Sequence, residues 1–249
     1  MKTDSKFHHC KTNDEIANAV FLLYPDLEDD IPVAYVSNLW FFGGLPFYVD
    51  ESVLVPRFDT EMVLFETIKT AKAKAFANKL SSMPKDLKIL DLCTGSGCIA
   101  VCIAKHLEVQ VTASDISNKS LDVARKNARK HAVNIDFVPS DLFENIDEQF
   151  DIIVSNPPYL CTNEVGKDDR SVLREPKIAL DGGEDGLCVY RKIAEQSKKH
   201  LADSGVLVLE IGATQANDVK TILQDAGFGD INVVKDTMGK DRVIICRKN

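Results

Sequence analysis

The sequence has no Cys-x-x-Cys pair, no long apolar run and no excess of basic residues, and each absence removes a class of protein. Seven cysteines without paired spacing point away from a disulfide framework and towards a reducing, cytoplasmic compartment. No stretch approaches the roughly 18 apolar residues that suggest a membrane span. The N-terminus, MKTDSKFHHC, lacks the apolar segment of a secretory signal. Lys and Arg number 30 against 38 Asp and Glu, a net charge of −8, which argues against a partner held mainly through phosphate contacts. His8, His9 and Cys10 stand in a polar tail, so residues 1–12 are expected to be a mobile terminus rather than a metal site, and no metal is expected elsewhere.

What is present suits a globular chain of one large domain with a small addition: 249 residues, 45% hydrophobic and 27% charged. Asp14–Leu23 has the spacing of a short helix that Pro25 stops. Residues 31–49, rich in aromatics and turning at Gly43-Gly44, predict a hairpin, with Trp40, Phe41 and Phe42 as a packing cluster. Asp59 is the expected N-cap of a helix carrying Met62, Phe65, Ile68 and Phe76 at helical spacing. Ser81-Ser-Met-Pro84 breaks that helix and separates an N-terminal region, 1–84, from a main domain, 85–249.

From Leu87 onward, strand and helix alternate. Strands are expected at Leu87–Leu92, Val109–Ser114, Ile135–Pro139, Phe150–Ser155, Val206–Ile211, Ile231–Val234 and Arg242–Cys246. Helices are expected at Gly97–Leu107, Ser117–His131, Leu187–Leu201 and around Val219–Ala226, where Gly227 serves as the C-cap. Residues 161–185 lack periodicity and have the length of a functional loop. Such alternation gives an α/β fold: a doubly wound, mostly parallel seven-stranded sheet, closed by an antiparallel C-terminal hairpin and preceded by a short helix/hairpin extension.

In open α/β sheets, ligands gather at the carboxyl ends of the strands. Asp91-Leu-Cys-Thr-Gly-Ser-Gly97 follows the first strand, and its glycines allow close backbone approach to a ligand at a helix N-terminus. Asp115 ends the second strand, where it can reach ribose hydroxyls or cap the next helix. Asp141-Leu142 follows the third strand. Asp151-Ile-Ile-Val-Ser-Asn-Pro-Pro-Tyr159 forms the fourth, which Pro157 and Pro158 end because neither has an N–H to donate to a neighbouring strand.

Taken together, these residues resemble class I methyltransferases that use S-adenosylmethionine, in which Asn-Pro-Pro-Tyr accompanies methylation of a planar nitrogen. An amide or aryl amine is a poor nucleophile because its lone pair is delocalised, and it carries two N–H donors that need acceptors. The Asn156 side-chain oxygen and the Pro157 carbonyl can supply these, and Tyr159 can stack on the planar group. Pro56-Arg-Phe-Asp-Thr-Glu61, the glycine loop, Asn156–Tyr159 and the series Glu175-Pro176 to Asp185-Gly186-Leu187 occur in the order typical of the peptide chain release factor N5-glutamine methyltransferases. The stretch Phe42-Gly43-Gly44-Leu45-Pro46-Phe47 fits as well, and the resemblance spans roughly residues 31–249.

That resemblance implies methylation of the glutamine in the Gly-Gly-Gln motif of release factors, with S-adenosylmethionine as cofactor and release factors as partners. It implies that Asp91 belongs to the cofactor site, that Thr94, Gly95, Ser96 and Gly97 serve the methionine portion of the cofactor, Asp115 its ribose, and Asp141 and Leu142 its adenine. Asn156 would face both cofactor and substrate, Pro157, Pro158 and Tyr159 would hold the glutamine, and Arg57 and Glu61 would line the entry, unless they only form a salt-bridged helix start. The sequence departs from the family at Cys93, where glycine is usual, at Phe58, where proline is usual, and in a short N-terminal region with one evident helix. Alternatives are methylation of another protein glutamine, such as one in a ribosomal protein, methylation of an exocyclic adenine amine, and a cofactor-binding but non-catalytic module. A nicotinamide dehydrogenase is disfavoured by the incomplete glycine fingerprint.

Overall fold

Apolar runs such as Ile89–Leu92, Ile152–Val154 and Val206–Leu209 can only be satisfied by a sheet covered on both faces, and they form the centre of one. The computed structural model describes residues 5–7, 9–28, 30–77, 83–84, 86–167 and 170–248. Its main sheet has seven strands in the order β5-β4-β3-β6-β7-β9-β8. They are β3 (Lys88–Leu92), β4 (Gln110–Asp115), β5 (Asp136–Pro139), β6 (Phe150–Ser155), β7 (Leu201–Glu210), β8 (Phe228–Lys235) and β9 (Asp241–Lys248). β3 to β7 are parallel; β9 runs antiparallel between β7 and β8. The doubly wound α/β sheet with an antiparallel C-terminal pair is therefore present as expected. The last three strands are longer than their apolar cores suggest: β7 continues back past a register shift to Leu201, which pairs with Phe150, and Lys235 pairs with Asp241.

Side chains alternate across each strand, so the core divides into two layers. Ile89, Ile152, Val154, Val206 and Val208 face α3 (Glu61–Ala77) and α4 (Cys98–Leu107). Leu90, Leu92, Ile153, Leu207 and Leu209 face α6 (Cys188–His200) and α7 (Ala216–Asp225). Gly227 follows α7 with φ 78, one place beyond the cap residue Ala226. α5 (Asn118–His131) turns Leu121, Ala124 and Ala128 inward, and Ser117 caps it by accepting the Ser120 N–H.

The N-terminal region departs from expectation in four ways. Residues 5–7 form a 3₁₀ turn, and Phe7 and Cys10 are buried beneath α1 (Asn13–Leu23) with Ile16, Val20 and Leu39, so the described part of 1–12 is a packed segment rather than a mobile tail. Residues 1–4 and 8 lie outside the described residues, as do Ser81 and Ser82 of the expected helix break. A second helix, α2 (Val33–Ser37), occupies part of the stretch expected as hairpin, and the hairpin itself is only β1 (Trp40–Phe42) and β2 (Leu45–Phe47), turning at Gly43-Gly44. Asp59 is not an N-cap: it lies inside a 3₁₀ turn, Phe58–Thr60, and its carboxylate pairs with Arg242 at 3.1 Å. Finally, α3 buries Val63, Leu64, Ala71 and Ala75, leaving Phe65 and Phe76 exposed. Both faces of that helix are apolar, and spacing alone does not decide which one turns inward.

Asn127, fully buried on α5, accepts the Tyr48 N–H at 2.7 Å and donates to the carbonyls of Tyr48 and Ser96, each at 2.9 Å. One side chain thus joins the segment after the hairpin to the glycine loop.

Candidate active site

β3 and β6 are adjacent, with Leu92 opposite Ser155, so the glycine loop and Asn156 leave the sheet side by side. This is where the strand order reverses: the chain passes outward through β4 and β5, then returns to the other side of β3 as β6. A crevice opens at such a point in α/β sheets. Here it holds a cavity of about 300 Å³, within the usual range for a small-molecule site.

The cavity wall includes Cys93, Thr94, Gly95 and Ser96 from the loop, Asp115 from β4, Asp141 and Leu142 after β5, and Asn156 and Pro158 after β6. Arg57 and Thr60 close it from the N-terminal side, and Pro176, Ile178, Ala179 and Asp181 from the loop after β6. Asp91, Gly97, Tyr159 and Glu61 are not on the wall but behind it, and Pro157 is buried between the two wall residues Asn156 and Pro158. Asp91 is fully buried; its Oδ2 accepts the Thr94 hydroxyl at 2.6 Å and the Ala100 N–H at 3.1 Å, which shapes the loop from below. Burial pushes its carboxyl up to about 7, against those two bonds. Glu61 accepts the Gly43 N–H at 2.9 Å and so holds the hairpin turn.

Gly95, at φ 54, has open space where a Cβ would stand, so the backbone there offers a bare cradle to a ligand. Asp115 orders that cradle. Its Oδ2 accepts the Gly95 N–H and its Oδ1 the Ser117 N–H, both at 2.9 Å, while burial raises its carboxyl above the usual range. The cap of α5 is Ser117 itself, not Asp115. Cys93 has φ 61, a left-handed conformation that costs a side chain roughly 1–2 kcal/mol. Glycine at this place would avoid that cost, losing about 0.5–1 kcal/mol to its own greater freedom when unfolded. Cys93→Gly is therefore expected to raise stability by about 0.5–1 kcal/mol, read as a higher urea midpoint at unchanged slope; a lower midpoint would show that Cys93 packing outweighs its strain.

Arg57 reaches over the cavity to Glu175, its Nη2 lying 2.9 Å from both carboxylate oxygens. Glu175 is buried, so this pair fastens the loop of residues 161–185 to the start of α3. The neighbouring Arg174 pairs with Asp30 at 2.7 Å and Glu28 at 3.3 Å on the same N-terminal region. Much of the loop is thereby shaped, with short 3₁₀ turns at Arg170–Arg174 and Lys177–Ala179.

Behind Asn156 lies a polar group that the sequence reading overlooked. Asn156 Nδ2 donates to the Thr60 hydroxyl at 3.1 Å, and the Tyr159 hydroxyl donates to Glu210 Oε1 at 3.2 Å. The Tyr159 ring packs against the α6/α7 side of the core, and its backbone carbonyl accepts from Gln215 Nε2 at 2.9 Å. Glu210 ends β7 as Asp115 ends β4, a polar residue closing an apolar strand, and that signal was available.

Residues 71–170, which carry the glycine loop, Asp115 and Asn156, match the model of the methyltransferase small domain family. A release factor glutamine methyltransferase from Lactococcus lactis subsp. lactis (strain IL1403) is 40% identical over 226 residues, 88% of this chain and 78% of that protein. Another from Streptococcus pneumoniae (strain ATCC BAA-255 / R6) is 38% identical over 237 residues, 94% of this chain and 81% of that one. A solved methyltransferase structure from Pyrococcus furiosus shares the fold, with a TM-score of 0.62 at 17% identity over 95% of this chain and 98% of that chain. With such identity over most of both lengths, the chain belongs to the release factor glutamine methyltransferase family.

Proposed function

We propose that this chain transfers a methyl group from S-adenosylmethionine to the side-chain nitrogen of a glutamine, that of the Gly-Gly-Gln motif in peptide chain release factors. On this reading it works in the cytoplasm, with release factors as its partners. The observation that carries the proposal is the position of Asn156, an amide at the end of β6 beside the glycine loop and open to the same cavity. Family membership supplies the substrate class.

The residues fit the cofactor. The bare cradle at Gly95 would take its methionine portion, Asp115 its ribose and the Asp141-Leu142 turn its adenine; Asp91 would act by shaping the loop. When bound, S-adenosylmethionine supplies a methyl group activated by its sulfonium, so the protein's task is mostly alignment. Asn156 Oδ1, the prong of the amide turned away from Thr60, and the Pro157 carbonyl would accept the two N–H groups of the glutamine. They would thereby hold its nitrogen in line and accommodate the positive charge that develops there. Pro158 lines the cavity, whereas Tyr159 holds the turn from behind. Arg57, tied to Glu175, would frame the entry, and Glu61 would act at one remove through Gly43.

Methyl-labelled S-adenosylmethionine supplied with release factors, a ribosomal-protein pool and DNA tests the reading. Label is expected on release factors and lost when the glutamine of their Gly-Gly-Gln motif is replaced by alanine; label only in DNA would overturn it. Asp115→Ala is expected to weaken cofactor binding roughly 10- to 100-fold, the loss of hydrogen bonds to a charged group. Calorimetry checks this, and unchanged affinity would remove Asp115 from the cofactor site.

A further inference from the structure

Pro157 and Pro158 cannot fasten the turn that carries them through their own nitrogens, because neither has an N–H to donate. The turn is therefore set by what holds its two ends. At the first, Asn156 Nδ2 meets the Thr60 hydroxyl. At the second, the Tyr159 carbonyl accepts from Gln215 Nε2 at 2.9 Å, its one hydrogen-bond partner among the described residues. Gln215 lies just past the end of β7, at the start of α7.

The surroundings of the Gln215 amide permit one orientation. Oε1 accepts the Gly212 N–H at 3.0 Å, while Nε2 donates both its hydrogens, to the carbonyls of Tyr159 at 2.9 Å and Gly186 at 3.3 Å. Turned over, the amide would set its oxygen against two carbonyls and its N–H groups against another N–H. The three partners belong to separate pieces of the crevice. Tyr159 closes the turn after β6, Gly186 follows the loop that supplies Pro176, Ile178, Ala179 and Asp181 to the wall, and Gly212 follows β7. Turn and loop touch backbone to backbone: a Cβ on Gly182 would stand 2.8 Å from the Tyr159 Cα and 2.9 Å from the carbonyl oxygens of both Pro158 and Gly186. A displacement of either segment is thus passed to the other.

We propose that Gln215 is a positioning residue: it pins the Tyr159 carbonyl, and with it the two-proline turn, so that the Pro157 carbonyl keeps its aim at the substrate nitrogen. The inference rests on the reading of Asn156 and the Pro157 carbonyl as acceptors of the glutamine N–H groups. Gln215 is absent from the cavity wall, so it acts through Tyr159 rather than by touching substrate or cofactor. What it governs is alignment, and a misplacement of about 1 Å can cost on the order of 100-fold in rate.

Gln215→Met keeps the length of the side chain but has no N–H to donate. Methylation of a release factor is expected to fall roughly 10- to 100-fold in kcat. The KM for the release factor and the cofactor affinity, read by calorimetry, are each expected to stay within about threefold of wild type. Gln215→Glu, closest in shape, retains an acceptor for the Gly212 N–H but faces two carbonyls with a carboxylate, and is expected to lose at least as much. A side chain that merely filled space would be replaced by Met or Glu with little loss, and a general loosening of the crevice would weaken cofactor binding along with turnover.

Gly212→Ala reaches the same contact without changing Gln215. A Cβ there would stand 2.7 Å from Gln215 Oε1 and 3.1 Å from its Cδ, the far end of a flexible side chain, so the fold can yield by displacing the amide. Its kcat is expected to fall roughly 10-fold or more in the wild-type background, and no further in Gln215→Ala, where no amide is left to displace. The proposal is overturned if Gln215→Met or Gln215→Glu keeps kcat within about twofold of wild type, if cofactor affinity falls as far as kcat, or if Gly212→Ala costs the same with and without the Gln215 side chain. If the Gln215 variants do not fold, Gly212→Ala with kcat within about twofold of wild type overturns it. A wild-type enzyme that methylates no glutamine would defeat the functional reading first, and this inference with it.

Discussion

Asn156→Ala is expected to lower kcat for glutamine methylation by about 10²–10³-fold while changing cofactor affinity far less. The asymmetry follows from geometry. The cofactor's proposed contacts are spread over Gly95, Asp115 and the Asp141-Leu142 turn, so one missing side chain at the end of β6 removes a small share of them. The nitrogen has fewer acceptors, and alanine takes away one whose benefit grows as positive charge develops on it. Alanine also leaves the Thr60 hydroxyl without its Nδ2 donor, loosening the wall where the glutamine must sit. Paired measurements of kcat with a saturating release factor and of cofactor affinity by calorimetry decide the matter. Turnover within threefold or so of wild type would show that Asn156 does not align the nitrogen.

Gly97→Ala is expected to lower stability by about 2–5 kcal/mol. Two separate penalties add. Gly97 caps α4 at φ 77, where a side chain costs roughly 1–2 kcal/mol. A Cβ there would also stand 2.9 Å from the Ala124 Cβ and 3.1 Å from its Cα, so α5 backbone rather than a flexible side chain must yield. Such overpacking costs about 1–3 kcal/mol. Separating α4 from α5 would also tilt the first turn of α4 beneath the glycine loop, so cofactor affinity should fall with stability. Urea unfolding measures the first effect and calorimetry the second; a midpoint shift worth less than about 1 kcal/mol would mean that the two helices can part freely.

How legible these features were in the sequence varied with the kind of constraint behind them. Ile152-Ile-Val154 has to be covered on both faces, and that requirement alone places β6 with Asn156 at its end. The glycine loop was equally open to reading, because backbone conformation and close approach leave few residue choices. Cys93 is an odd residue for its place, and its φ of 61 supplies the reason. By contrast, Thr60 meets Asn156, and Asp59 meets Arg242, across long sequence separations. Nothing local in Phe-Asp-Thr or Leu-Glu-Ile predicts that a 3₁₀ turn near the N-terminus will lie against the end of β7. Glu210 still showed half of its identity as a polar residue closing an apolar strand. Arg57 could be chosen as a candidate, but its partner, Glu175, could not. Phe65 and Phe76 misled because α3 offers apolar residues all round, and only packing decides between its faces.

Asn127 bears on how this enzyme could be recombined with its relatives. Its one amide is shared by Tyr48, far upstream, and by Ser96 of the glycine loop, with no water-facing side on which to tolerate a mismatch. A chimera that exchanges the region before residue 85 must therefore bring a backbone donor and acceptor to the place of Tyr48, or else carry its own α5. Crossover points chosen by sequence similarity alone would cut through this shared amide unnoticed. The front of the chain is thus inherited together with the helix that carries Asn127.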